Sequence, residues 1–376
     1  MKYTLLGACF FCAVNVAAQD SGKGDVKFGM ELTSELQGTH KGGHRPATSG
    51  NASQSYNYAN LLRLNVSVPV TRSVRFEAAS LSTCMTAEES IGGELQTCSN
   101  LDAGNIPFAL SVCGMSWTYP SRQKGTTHSL SLGIRNMNED YFCSPATSLF
   151  TNSSCGIYPT ISINYPIANY PVASVGMHYR YENEKLCYKN KDKNKNEDVN
   201  ENKDENVNEN GSFVLQASLY NGQGYHRFTG RDNIFRVCPK DDGVFGLTEV
   251  SYTRRGSYYS LGNAIYYKEG MSATPWFYTE QSITPRLTLL AGYSHAFAAD
   301  AQCRDFLGCG VLYQLGQCQL GAFTDYANFL ERNEFATELT CKIPLSQHID
   351  IQPTAHLIAY DSRLHCVAML RMALSY

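Results

Sequence analysis

The chain has 376 residues, with 31 Lys+Arg against 34 Asp+Glu and a formal charge of −3. That balance leaves no basic excess to neutralise phosphates, which argues against nucleic acid as the main partner. Beyond about the first 18 residues no apolar run approaches the ~20 residues of a spanning helix, so a helical transporter is excluded but a membrane is not. The 24 Tyr, 17 Phe and 30 Gly point to strands and turns instead.

The first segment, MKYTLLGACFFCAVNVAAQD, has one Lys, an apolar stretch from Tyr3 to Val14 and then Val16-Ala17-Ala18 as a small-residue cleavage site. It reads as a secretory signal peptide over 1–18, with 19–376 as a single mature domain starting at Gln19 or Asp20. Cys9 and Cys12 fall inside the removed segment and carry no weight.

Alternation of apolar and polar residues then recurs to the end of the chain. Taken in chain order, strands are predicted near 25–37, 60–70, 74–84, 108–119, 128–136, 172–182, 213–222 and 245–255. The second half continues near 257–268, 275–284, 286–298, 308–316, 318–329, 334–343, 348–359 and 366–376. About 16 strands is an even number, as single-chain bacterial barrels require. Both termini and most short turns then share one rim, and most long connections share the other. The expected fold is all-β: a transmembrane antiparallel up-and-down barrel, because lipid-facing and lumen-facing residues must alternate when the backbone is satisfied only between strands. The last strand carries Ala368, Leu370, Met372 and Leu374 on one face and ends in Tyr376, which resembles the signal read by the barrel-insertion machinery. The competing architecture is a secreted β-sandwich or propeller that binds carbohydrate as a lectin or adhesin.

Two connections stand out. Residues 137–171, after the fifth strand, are expected to fold into the lumen and narrow it. Residues 183–211 are dominated by Asn, Lys, Glu and Asp and repeat Val199-Asn200-Glu201-Asn202 as Val207-Asn208-Glu209-Asn210. Such a stretch lacks the apolar content to pack and is expected to be a disordered insertion in one of the short turns.

Several stretches, in order, resemble the carbohydrate-selective porin family of bacterial outer membranes. They are Gly133-Ile134-Arg135-Asn136-Met137-Asn138-Glu139-Asp140-Tyr141-Phe142, then Leu149 to Pro159, Tyr170 to Met177, Leu219-Tyr220-Asn221-Gly222 and Ile349-Asp350-Ile351-Gln352-Pro353. The resemblance spans roughly 128–376, while 20–127 matches only in its strand pattern; the insertion and the abundant cysteines depart from the family. It implies a barrel for passive diffusion of small saccharides across the cell outer membrane, without cofactor, with outer-membrane lipid around it and a homo-oligomer left open. A general, weakly selective porin is the near alternative.

A sugar pore needs polar groups that exchange hydrogen bonds with hydroxyls and aromatic faces for the rings, each contact weak enough to release. Strand parity nominates Arg63, Arg75, Glu77, Arg135, Arg180, Asp325, Glu338, Lys342, Asp350 and Arg371 as lumen-facing, with Trp276 and Glu280 sharing one inward face. Asn138, Glu139 and Asp140 begin the long loop, and its acids are expected to oppose a basic wall across a constriction. Each of these residues can equally be a solvated lumen side chain with no role in recognition. Trp117 and most strand-end tyrosines are expected in the membrane-interface girdle. There is no Gly-x-Ser-x-Gly, His-Glu-x-x-His or phosphate-binding glycine loop, so no enzyme is expected, and His40 with His44 reads as an exposed loop rather than a metal site. Of the 14 cysteines, Cys113, Cys341 and Cys366 lie in strands as small semi-apolar side chains. If disulfides form, Cys84 with Cys98 and Cys143 with Cys155 are the more plausible loop pairs.

Overall fold

The computed structural model describes residues 26–41, 56–87, 91, 93–121, 125–184 and 211–376. The expected signal peptide, His44 and residues 185–210 of the insertion lie outside the described residues. Sixteen antiparallel strands form one closed barrel in which each pairs with its neighbours in sequence and the first closes on the last. They are β1 (Lys27–Lys41), β2 (Tyr56–Pro69), β3 (Val74–Met85), β4 (Ile106–Pro120), β5 (Thr126–Arg135), β6 (Ser174–Asn183), β7 (Ser212–Asn221) and β8 (Val244–Arg254). The ring continues through β9 (Ser257–Tyr267), β10 (Met271–Thr284), β11 (Leu287–His295), β12 (Cys303–Leu315), β13 (Cys318–Phe329), β14 (Asn333–Pro344), β15 (Ile349–Tyr360) and β16 (Arg363–Ser375). The β1–β16 seam sets Glu35 opposite Arg371 and Leu36 opposite Leu370.

Every predicted strand is present, but several run further than the alternation suggested. β1 reaches Lys41, β2 starts at Tyr56, β10 at Met271 and β12 at Cys303. The reason is visible at β12, where Cys303-Arg304-Asp305 reads as loop by composition. Its backbone nevertheless pairs on with Asn328 and Phe329 of β13, because the ladder binds main chain whatever the side chains. The turn between β8 and β9, Arg255-Gly256, has φ of 49° and 76°, the left-handed pair that matches a two-residue hairpin to strand twist.

The outer face of the barrel is apolar, and the polar and charged strand residues turn inward. On β14, Phe335 and Leu339 are each 53% exposed, while Glu334 and Glu338, each one residue before them, are 3% and 0% exposed. The same belt includes Leu132, Met177, Leu219, Leu261, Phe277 and Leu370. Trp117 pairs with Val74 on this outer face at the rim that carries the termini. Cys113 and Cys366 also lie in the belt, opposite Ile134 and Leu357, and Cys341 lies opposite Leu320. Cys84, Cys98, Cys143 and Cys155 are all free, so neither loop disulfide is formed.

The interior is not an open tube. A hydrophobic core lies inside it, built from Met137, Tyr141, Leu149, Phe150, Tyr158 and Ile161 of the 136–173 connection (loop 3) against Phe245, Trp276, Phe306 and Phe323 of the wall.

Candidate functional site: the lumen and its constriction

Loop 3 leaves β5 through a tight local turn. Asn136 Oδ1 accepts from the Asn138 N–H at 2.8 Å, and Asn136 Nδ2 donates to the Val172 carbonyl at 2.7 Å, tying the two ends of the loop together. Arg135 then holds Asp140 with both ends of its guanidinium, at 2.7 and 3.0 Å, and Arg63 holds Glu139 at 2.6 Å. This corrects the expectation of acids facing a basic wall across an opening. The acids and arginines are in contact, so their charges cancel locally and clamp the loop root instead of setting up a transverse field.

From there the loop crosses the barrel. Phe142 packs on Trp276 with ring centroids 5.0 Å apart, and Tyr158 stacks on Phe306 at 4.7 Å. Glycines on the inner wall make room: a Cβ at Gly292 would collide with the Tyr158 hydroxyl, and one at Gly321 would lie 2.8 Å from Leu149 and Phe150. Buried carboxylates fix the tip. Glu338 accepts from the Thr151 and Asn152 N–H groups, both at 2.9 Å, and from the Thr151 hydroxyl at 3.1 Å. Asp325 accepts from Asn152 Nδ2 at 2.8 Å and the Ser154 hydroxyl at 2.9 Å, while Glu280 accepts from the Tyr278 hydroxyl at 2.9 Å. Trp276, Glu280, Asp325 and Glu338 therefore point inward, as parity predicted, but are covered by loop 3 and do not face open space in the lumen. Parity reports the face of a strand, not what is packed upon it.

A second inserted segment escaped the sequence reading. The described residues of the 86–105 connection (loop 2) also enter the lumen. Leu95 N–H donates to Glu334 at 2.6 Å, Gln96 Nε2 to Asp325 at 3.1 Å, the Ser99 hydroxyl to Glu35 at 2.6 Å and Asn100 N–H to the Thr151 carbonyl at 2.7 Å. Arg371 bridges Glu35 and Asn100 Oδ1, the latter at 2.6 Å. The signals available were Ile91, Leu95 and Leu101, apolar residues that a solvated loop does not need, and the inward acids Glu35 and Glu334.

Between the two loops and the β1, β14, β15 and β16 wall lies a cavity of about 660 Å³. Loops contribute Gln96, Ser99, Asn100, Asp102, Asn138, Phe142 and Tyr170, and the wall contributes Glu31, Thr33, Lys342, Asp350, Gln352 and Arg371. Lys342 and Asp350 are paired at 3.1 Å. Among the nominated residues Asn138, Arg371, Lys342 and Asp350 reach this cavity. Arg63, Arg75, Arg135 and Arg180 do not line it; Arg75 donates to Ser67 at 2.8 Å and Arg180 contacts Glu182 at 3.3 Å. Asn138 is also spent on the loop, donating to the Gly156 carbonyl and accepting from Tyr170 N–H at 3.0 and 2.9 Å.

Asp102 is among the acids that line the cavity. Burial, with the charges of Glu94 and Glu35 nearby, pushes its carboxyl up to about 6. A raised carboxyl is neutral below that value and charged above it, so preference for cations over anions should rise between pH 5 and 7. Reversal potentials in planar bilayers check this, and the pH dependence should vanish in Asp102→Asn.

No protein-family model and no curated protein matches the sequence. Solved structures do. A high-pH structure of OprB from Pseudomonas putida superposes over 93% of this chain and 94% of its own, with a TM-score of 0.70 at 13% identity. The fold is a porin fold. A multiply substituted Rh. blastica porin matches over 93% of this chain and all of its own at a TM-score of 0.53 and 9% identity. A loop-deleted OmpT, an outer membrane protein of Vibrio cholerae, matches over 93% of this chain and 99% of its own, also at 0.53 and 9%.

Proposed function

We propose that the chain is an outer-membrane porin that passes small saccharides by passive diffusion, with the termini and short turns in the periplasm. The observation that carries this reading is the lining of the cavity. Amides and hydroxyls of Gln96, Ser99, Asn100 and Gln352 stand beside the aromatic rings of Phe142 and Tyr170. The charged groups there are largely paired, Arg371 with Glu35 and Lys342 with Asp350. Paired charges leave little net field to select ions, while neutral donors and acceptors next to ring faces suit polyols that must be bound weakly and released. The exposed apolar belt favours a lipid surround over the secreted lectin reading, because a soluble protein does not leave so large a continuous apolar face in water.

Liposome swelling with purified protein tests the proposal. Faster entry of mono- and disaccharides than of amino acids of similar size is the expected result. Equal rates would leave a general porin, and no swelling would remove the channel reading.

A further inference from the structure

The 222–243 connection (loop 4), between β7 and β8, does something different from loops 2 and 3: it folds down the outside of the barrel. Tyr225 and Ile234 cover Ile134, with Leu110, Cys113 and Val175 around them. Arg135 faces the lumen and binds Asp140, so its neighbour Ile134 faces outward, and the register places Cys113 and Val175 on either side of it in one outward row. The loop is anchored there. Ala173 and Tyr225 exchange backbone hydrogen bonds at 3.1 and 2.8 Å, and buried Asp242 accepts from Asn221 Nδ2 and the Tyr225 hydroxyl, both at 2.9 Å. Its exposed side chains are of two kinds: Arg231, Asp232 and Asp241 form an ion-pair cluster with Arg236, and the others include large apolar residues. Phe235 is 57% and Val237 60% exposed, and Phe228 stacks near Phe108 of the barrel wall at 5.5 Å.

The height of this flap can be read from the strands. Tyr181, in the tyrosine and histidine cluster at the lower end of β5 and β6, lies six residues after Val175 on the same strand face. At ~3.3 Å per residue and a tilt of ~40°, Val175 stands only about 15 Å above it, inside an apolar band of ~25 Å. On the far wall the first polar outward pair, His295 with Asp305 at 2.7 Å, stands eight residues from Tyr313, or about 20 Å by the same geometry. The row beneath the flap, Leu132 and Met177, is bare belt.

We infer that loop 4 is an external flap sunk among the acyl chains of the outer leaflet, with Phe235, Val237 and Phe228 as its lipid-facing side. It continues the belt upward where β5 and β6 alone would stop. It also braces from outside the point where loop 3 enters and leaves the wall. The inference rests on the membrane-barrel reading above.

The test is tryptophan quenching in liposomes, with Trp117→Phe as the parent and buried Trp276 retained. Phe235→Trp and, independently, Val237→Trp report the flap; Leu339→Trp reports the belt. Phosphatidylcholine brominated in its acyl chains should quench both flap tryptophans at least half as strongly as the belt tryptophan, with little effect of aqueous iodide. Iodide quenching without bromolipid quenching at both flap positions would overturn the flap while leaving the barrel standing. Protection from both quenchers would mean that a second copy covers the surface, which also overturns it. A belt tryptophan insensitive to bromolipid would instead bring down the membrane reading itself.

Discussion

Deleting 142–168 should raise single-channel conductance several-fold in planar bilayers. Conductance is governed by the narrowest section, and this segment carries the side chains that fill the barrel between β7 and β13. The barrel itself should survive, since each strand is held by ladders to both neighbours and β1 is already closed on β16. Its stability should not be untouched. Phe245, Trp276, Phe306 and Phe323 would lose their cover, and burial of each such side chain contributes about 1.5–3 kcal/mol. The temperature of the gel-mobility shift that marks barrel unfolding should therefore fall while folded barrel is still recovered. Unchanged conductance in a correctly folded variant would show that loop 3 does not set the narrowest section.

Glu338→Ala should loosen the constriction without removing it. Glu338 is fully buried and receives the Thr151 and Asn152 N–H groups and the Thr151 hydroxyl. Truncation leaves those donors without their acceptor in a place water does not easily enter, at about 1–3 kcal/mol per group. That is enough to let the loop tip leave the wall part of the time. Current traces should show frequent transitions to a larger conductance at the same applied voltage. Glu338→Gln keeps one acceptor oxygen at the same position and should show fewer of them. Silent traces from Glu338→Ala, indistinguishable from the parent, would mean that the Asp325 contacts and the aromatic packing hold the tip unaided.

These two variants also show where the sequence can be read and where it cannot. The period of two along β14, Phe335 and Leu339 against Glu334 and Glu338, is a property of neighbouring residues, and it alone determines a strand with one apolar face. Sixteen such strands with short turns on one side and long connections on the other have few ways to satisfy their backbones except as a closed barrel. The direction of each nominated side chain followed from the same parity. What lay in front of those side chains did not, because contact between Glu338 and Thr151 spans 187 residues and leaves no local pattern.

The cavity itself belongs to the tertiary structure. Gln96, Asn100 and Tyr170 reach it only because loops 2 and 3 dock on one another and on inward acids from strands distant in sequence. Arg63 and Arg135, which strand parity marks as candidates to meet solute, are instead occupied with Glu139 and Asp140. Loop 4 obeys the same rule in reverse, since nothing in 222–243 says which side of the wall it will cover. Alternation is a local consequence of two solvents meeting one sheet, and so it is written residue by residue. Which loop enters the lumen, and which lies outside, is settled by long-range pairing of buried acids, amides and rings that only the closed barrel brings together.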